Sequence, residues 1–282
     1  DVRHKVTNQV MQPTFLGGGL ADTKGKDRRV VMAEWLTSTE NPYFSTSIAN
    51  RVWAHFMGVG IVEPVDDIRV SNPATNPELF QKLGDKLASY KFDFRQLVRD
   101  ICNSEAYQRS ATSNESNKGD TRNYAYAVVR RIPAEMMLDC VSQVTNTKEK
   151  FRGLPLGARA VQIADGGTST YFLDTFGRAP RETVCDGEAS TDPSLSQALH
   201  LLNGSATSGK IAKGKVVDEL LKDDTPMKDA LDRLYVRCLS RYPTEMERKE
   251  LLAAVEQAPS PAVGLEDVFW AVLNSREFVF NH

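Results

Sequence analysis

Helix-start chemistry recurs along this chain, and each start is followed by apolar residues at helical spacing. Asn76-Pro77 places a capping side chain before a proline at the first helical position, and Leu79, Leu83 and Leu87 follow on one side. Asp93 and Gln96 resemble a capping box ahead of the stripe Phe94, Leu97, Val98 and Ile101. Pro133 opens a helix with Met137, Cys140, Val141 and Val144 on one face. Asp192-Pro193 opens another, with Leu195, Ala198, Leu199 and Leu202 inward. Thr225-Pro226 is expected to cap the next. Thr244 and Glu247 form a capping box, and Ser260-Pro261 starts the last stripe, Leu265, Val268, Phe269 and Val272. The predicted fold is therefore mainly α: an irregular assembly of about ten helices with at most a little β.

Residues 1–27 lack this periodicity and read as an arm or linker, with Gly17-Gly18-Gly19 and Gly25 among polar residues. Residues 28–282 read as a single helical domain. It is interrupted at 147–191 by a Gly/Pro-rich insertion holding Gly153, Gly157, Gly166, Gly167, Gly177, Pro155 and Pro180, with a strand expected near Arg159–Ile163. An insertion that long inside a compact domain is usually functional or mobile. Asn103-Ser104 and Asn274-Ser275 each end an apolar helix, with an aromatic four residues past the Asn. Asn tolerates the left-handed conformation that closes helices, and the echo fits either duplication or two uses of one stop signal.

Composition sets limits on function. The net charge is −2 and no long run of one sign occurs, which argues against a nucleic-acid binder. No segment approaches the ~18 apolar residues of a membrane span. The chain opens at Asp1 rather than Met, as expected of a fragment or processed product. Cys102, Cys140, Cys185 and Cys238 form no CxxC, and the first two and the last fall on helix faces, where a buried free thiol is the ordinary outcome. Cys185 lies in a polar loop. Gly209 to Val216 approaches a phosphate loop, but Val216 stands where the Mg²⁺-binding hydroxyl is required. With His4, His55, His200 and His282 scattered, no metal site of several histidines is expected, and no cofactor.

Three polar clusters remain. A helix predicted over 48–58 is apolar nearly all round, with Arg51 and His55 as i, i+4 partners on its margin. It stops at Gly58 and runs into a loop carrying Asp66, Asp67, Arg69 and Asn72. One of the adjacent carboxylates is expected to pair with Arg69 while the other is available to a ligand, the alternative being turn chemistry. The second cluster is Asp174, Arg178, Arg181 and Glu182, where two arginines can present forked donors to an anion or sugar acid, or pin the insertion internally. In the third, Ser196, His200 and Asn203 form a stripe opposite a leucine core. Arg51, His55, Asp66, Asp67, Arg178, Arg181, Glu182 and His200 are the expected ligand-binding residues. They are expected to include the lining of one pocket.

Ordered matches extend over about residues 28–282. They include Ala33-Glu34-Trp35-Leu36, Asn41-Pro42-Tyr43-Phe44, Asn50-Arg51-Val52-Trp53, Asn72-Pro73, Leu154-Pro155-Leu156-Gly157, Phe172 to Arg178, Ser196 to Asn203 and Leu273 to Phe278. Through them the chain resembles the planctomycete-type C-terminal domain of unknown function, a PSD-type domain of large secreted proteins that often begin with a cytochrome-c-like domain. It departs from that pattern after Thr183, where Val184-Cys185-Asp186-Gly187 replaces a run with two cysteines. The resemblance implies a periplasmic or extracellular bacterial protein, linked to polysaccharide use or the cell surface, with other domains of the parent protein as partners. The leading reading is a non-catalytic binding or scaffolding domain with a glycan or anionic ligand. The alternatives are a polysaccharide-active hydrolase or lyase using paired carboxylates, and a structural surface protein.

Overall fold

A computed structural model of the chain describes residues 2–39, 41–180, 182, 197 and 205–281. The expected 193–203 helix with His200, the Arg181 position and the Cys185 loop lie outside the described residues. The described part is mainly α, with twelve α-helices and one two-stranded sheet. Packing divides it at 128/129 into two units, within the stretch read as one domain.

The first unit holds α1 (Arg28–Leu36), α2 (Phe44–Met57), α3 (Pro77–Ser89) and α4 (Phe94–Cys102). Asp27 starts α1 by accepting from the Arg29 N–H. The arm before it carries two antiparallel bridges, Arg3 to Val10 and Thr14 to Leu20, and lays the Phe15 ring on Trp35 at 5.1 Å. Helix α2 begins four residues ahead of the predicted start, because the buried Asn41 side chain accepts from the Tyr43 and Phe44 N–H groups. Its Ala49, Trp53 and Met57 line is buried against Leu83 and Leu87 of α3 and Leu97 and Ile101 of α4. The Ile48, Val52 and Phe56 line is only half-buried. The approach of α2 to α3 is close: a Cβ added to Gly84 would sit 2.5 Å from the Thr46 methyl, so only glycine fits that crossing. Asn76 caps α3 as predicted, through the Leu79 N–H. Asp93 caps α4 through the Arg95 and Gln96 N–H groups, but the expected return bond of a capping box is replaced, the Asp93 N–H donating to the Tyr90 carbonyl.

The second unit runs through β1 (Arg130–Arg131), α5 (Ala134–Val144), a 3-10 turn (Ala160–Gln162), α6 (Tyr171–Thr175), a π turn (Ser205–Gly209), α7 (Lys210–Gly214) and α8 (Val216–Leu220). It continues with a second 3-10 turn (Lys222–Asp224), α9 (Met227–Leu239), α10 (Glu245–Glu256), α11 (Pro261–Leu273), α12 (Arg276–Val279) and β2 (Phe280–Asn281). β2 pairs antiparallel with β1. The strand expected near 159–163 is the first 3-10 turn instead. Asp139, almost fully buried in α5, takes the Ala160 N–H at 2.6 Å and holds the segment coiled. Helix α9 starts at Pro226 without the expected Thr225 cap; the Thr225 hydroxyl donates to the Lys222 carbonyl. The capping box at Thr244 and Glu247 forms as read.

Helix α11 buries Leu265, Val268, Phe269, Val272 and Leu273 in the core of this unit. Each such side chain contributes about 1.5–3 kcal/mol by leaving water. Asn103 and Asn274 close their helices with right-handed backbone (φ −88° and −94°), not the left-handed turn expected. The shared signal lies in the following serine. Ser104 and Ser275 each accept the N–H three residues on, from Tyr107 and Phe278, at 3.2 Å. Arg241 ties the starts of α10 and α12 together by donating to Glu247 and Glu277, with its guanidinium over the Tyr235 ring. That contact holds the Glu247 carboxyl at about 2.

Candidate functional site

The loop after α2 is fixed from below. Gly58 ends the helix with left-handed backbone (φ 84°), and the chain doubles back over Asn50, which is 0% exposed. The Asn50 carbonyl oxygen accepts from the Ile61 and Val62 N–H groups at 2.8 and 3.1 Å, and its amide donates to the Val62 and Val65 carbonyls at 3.0 and 3.2 Å. Asn72 closes the far side by donating to the carbonyls of Asp67 and Glu63. Six polar main-chain groups of the loop thereby gain partners.

The charged residues stand on this frame. Asp66 accepts a charge-assisted bond from Arg51, and Asp67 pairs with Arg69 at 2.9 Å. The two adjacent carboxylates therefore serve different arginines. Arg51 and Asp66 are 46% and 55% exposed, so their pair adds at most about 1 kcal/mol to stability. His55, one turn beyond Arg51, is exposed and meets the Phe56 ring edge-on at 5.2 Å. It lies at the surface and not in the core.

In the second unit Arg178 has the opposite environment. Its side chain is 2% exposed. Nε donates to Glu135 at 3.1 Å, Nη1 to the Thr168 and Gly166 carbonyls at 2.7 and 3.4 Å, and Nη2 to those of Asp165 and Ile163 at 3.2 and 3.5 Å. The guanidinium organises the 163–168 turn from inside, which is the internal tie held open as an alternative. Asp165 lies on this turn, and the Gly167 N–H and Thr168 hydroxyl hold its carboxyl below the usual range. Asp174 accepts from the Ser169 hydroxyl at 2.5 Å, and Glu182 is exposed. Of the expected site residues, Arg51 and Asp66 are in direct contact and Asp67 and His55 belong to the same unit. Arg178 and Glu182 belong to the second unit, and Arg181 and His200 are outside the described residues.

Sequence reasoning assigned no role to Asn50 or Asp139. Each stands next to apolar residues on a helix that carries other polar residues, so its burial and its distant main-chain partners were not signalled by the sequence. It also passed over Lys210, which donates to Glu149 and to the Ser142 and Thr147 hydroxyls at 3.0 and 3.3 Å. Among the described residues no group of three or more His, Cys, Asp or Glu is placed to hold a metal ion, and no helix is long and apolar enough to cross a membrane. The described thiols, Cys102, Cys140 and Cys238, are free, and burial pushes Cys238 up to about 12.

No curated protein and no solved structure matches the chain. Residues 28–255, which span both units, match a family described as a protein of unknown function, PSD1 (DUF1553). The chain belongs to the PSD1 (DUF1553) family, whose function is not known.

Proposed function

We propose that this domain binds a neutral, hydroxyl-rich ligand of the glycan class without transforming it, as a module of a larger exported protein acting at or near a cell surface. The observation that carries this reading is the presentation of two arginine–carboxylate pairs, Arg51–Asp66 between α2 and its following loop and Asp67–Arg69 within that loop, which the buried Asn50 holds in place. Each sugar hydroxyl donates and accepts a hydrogen bond. A carboxylate that only accepts, beside a guanidinium that only donates, complements such a pair of hydroxyls. The two pairs sum to zero charge, which suits a neutral ligand. The fixed loop loses little freedom on binding, so affinity is not spent on ordering it.

The test is a glycan array probed with the full chain, repeated with Asp66→Ala and Asp67→Ala, alongside an assay for new reducing ends. The expected result is retention on a subset of glycans, lost in both variants, with no new ends released. Retention unchanged in the variants, or no retention at all, overturns the ligand class. Release of reducing ends overturns the non-catalytic part of the reading and favours the paired-carboxylate hydrolase.

A further inference from the structure

The arm before α1 forms two short antiparallel hairpins, and their registers fix where the side chains point. In the second hairpin Thr14 stands opposite Leu20. The Ala21 N–H donates to the Pro13 carbonyl at 2.9 Å and the Phe15 N–H to the Gly19 carbonyl at 3.1 Å. Pro13, Phe15 and Ala21 therefore share one face, half-buried, with the Phe15 ring on Trp35 of α1. Leu20 stands on the opposite face and is 71% exposed. Leu16, in the turn, is 70% exposed.

The first hairpin is exposed on both faces. Arg3 stands opposite Val10, and the Met11 N–H donates to the Val2 carbonyl at 2.8 Å, so Val2 and Met11 lie on one face and Val10 on the other. All three are exposed, and Val6 in the turn is 87% exposed. A two-stranded hairpin with neither face covered is marginal in water.

Charge is segregated into the same stretch. Residues 2–29 carry Arg3, Lys5, Lys24, Lys26, Arg28 and Arg29 against Asp22 and Asp27, whereas the whole chain has a net charge of −2. The two acids are already matched, Asp27 by Arg29 at 2.7 Å and Asp22 by Lys26 at 3.9 Å. What the arm offers a partner is therefore a basic excess beside exposed aliphatic side chains. Lys5 precedes Val6 in its turn, and Lys24 follows Leu20 by four residues. The cores of protein–protein interfaces are depleted of lysine and rich in aromatic rings. Here lysines stand next to the aliphatic groups, and Phe15 is turned inward. An anionic bilayer fits better. Aliphatic groups enter its headgroup region, and lysines gain from its negative surface potential.

We propose that the arm attaches this domain to the surface of an anionic lipid bilayer, with Val6, Leu16 and Leu20 entering the headgroup region and Lys5 and Lys24 meeting the lipid phosphates. The arm lies on the bilayer and does not span it. The attachment uses none of the residues of the polar loop, so it stands or falls apart from glycan binding.

The test is sedimentation of the full chain with vesicles of phosphatidylglycerol and with vesicles of phosphatidylcholine. Retention is expected on the first and at least about tenfold weaker on the second, since several lysines and arginines each gain from the anionic surface. Leu16→Ser and Leu20→Ser are each expected to weaken retention about tenfold, as the loss of one buried leucine predicts. Val6→Ser, at a turn that nothing packs on, is the variant to read if either leucine change disturbs folding. Lys5→Gln and Lys24→Gln are each expected to weaken it about fivefold, and Asp66→Ala to leave it unchanged. The proposal is overturned by no retention on phosphatidylglycerol or by equal retention on the two lipids. It is overturned as well if the lysine variants lose retention and the serine variants keep it, which is adsorption by charge alone. Equal loss in Asp66→Ala would place the lipid contact elsewhere and overturn it. So would a dimer in sedimentation velocity that the serine variants abolish, because a second copy of the chain would then cover the arm.

Discussion

Two irregular segments, the 58–73 loop in the first unit and the 163–168 turn in the second, are each tied down by one buried polar side chain, but by different chemistry. Asn50 holds the first with a neutral amide, and Arg178 holds the second with a charge. The difference follows from what each backbone leaves unpaired. The 61–65 turn directs both N–H groups and carbonyls at its anchor, so the anchor must donate and accept, as an amide does. The 163–168 turn directs four carbonyls at one point. A guanidinium, with five donors and no acceptor, matches them, and Glu135 supplies the counter-charge. The choice of anchor also decides what remains for function. With an asparagine inside, Arg51 and Arg69 stay at the surface. In the other loop the arginine itself is consumed.

The largest expected effect tests the charged anchor. Arg178→Ala strands four carbonyls and leaves Glu135 without its partner, and is expected to cost about 3–5 kcal/mol in urea denaturation. A loss under about 1 kcal/mol would show that the loop does not depend on its guanidinium. Arg178→Lys keeps the charge but not the fork, and is expected to fall between wild type and alanine.

Asn50→Ala comes next. It orphans buried N–H and carbonyl groups, and the expected loss is about 2–3 kcal/mol, smaller because no buried charge is abandoned. If Asn50→Asp proved as stable as wild type, the donating half of the amide would be dispensable and the comparison would weaken.

Acid separates the loops further. The Asp165 carboxyl is held below its usual range by the Gly167 N–H and the Thr168 hydroxyl. Its contribution is therefore complete above the unfolded value of 3.8 and is lost as pH falls through the lower folded value. The protection factor of the Gly167 amide, its exchange measured against the intrinsic rate at each pH, is expected to fall below that window in wild type, and Asp165→Asn should remove this pH dependence. The Ile61 and Val62 amides should keep their protection through the same range, because the side chain that holds them does not titrate. Equal acid sensitivity at both places would erase the distinction.

The smallest effect on stability is expected at the exposed pair. Asp66→Ala should change the unfolding free energy by less than about 1 kcal/mol. Its effect should appear in glycan retention, and a large stability loss there would reassign the Arg51–Asp66 pair to the frame of the loop.

Several helices could be read before any coordinates. Asn76, Asp93, Thr244 and Ser260 cap where their spacing to the next apolar residue predicts, because capping is a contact within three residues. Two such local signals failed. Arg159–Ile163 has the composition of a short strand, and Thr225 the look of a cap. The first is overridden by Asp139, twenty-one residues before Ala160, and the second yields to the backbone before it. The site was legible as residue types and not as roles. The spacing of Asp66, Asp67 and Arg69 showed that neighbouring carboxylates would part, and Asp67 does take Arg69. It could not show that Asp66 would turn to Arg51, fifteen residues away and on a helix.

The sequence by itself determined the helical class, the starts of α3, α4, α5, α10 and α11, and the membership of the PSD1 family. These depend on periodicity, on short-range hydrogen bonding and on ordered motifs, all of which are properties of the linear chain. Only the tertiary structure decided that Asn50 and Arg178 are anchors, and that Arg51 and His55 face solvent. Burial and hydrogen-bond satisfaction are set by groups brought together from distant parts of the chain. An arginine read from sequence alone is equally a surface charge or the tie of a loop until those groups are in place.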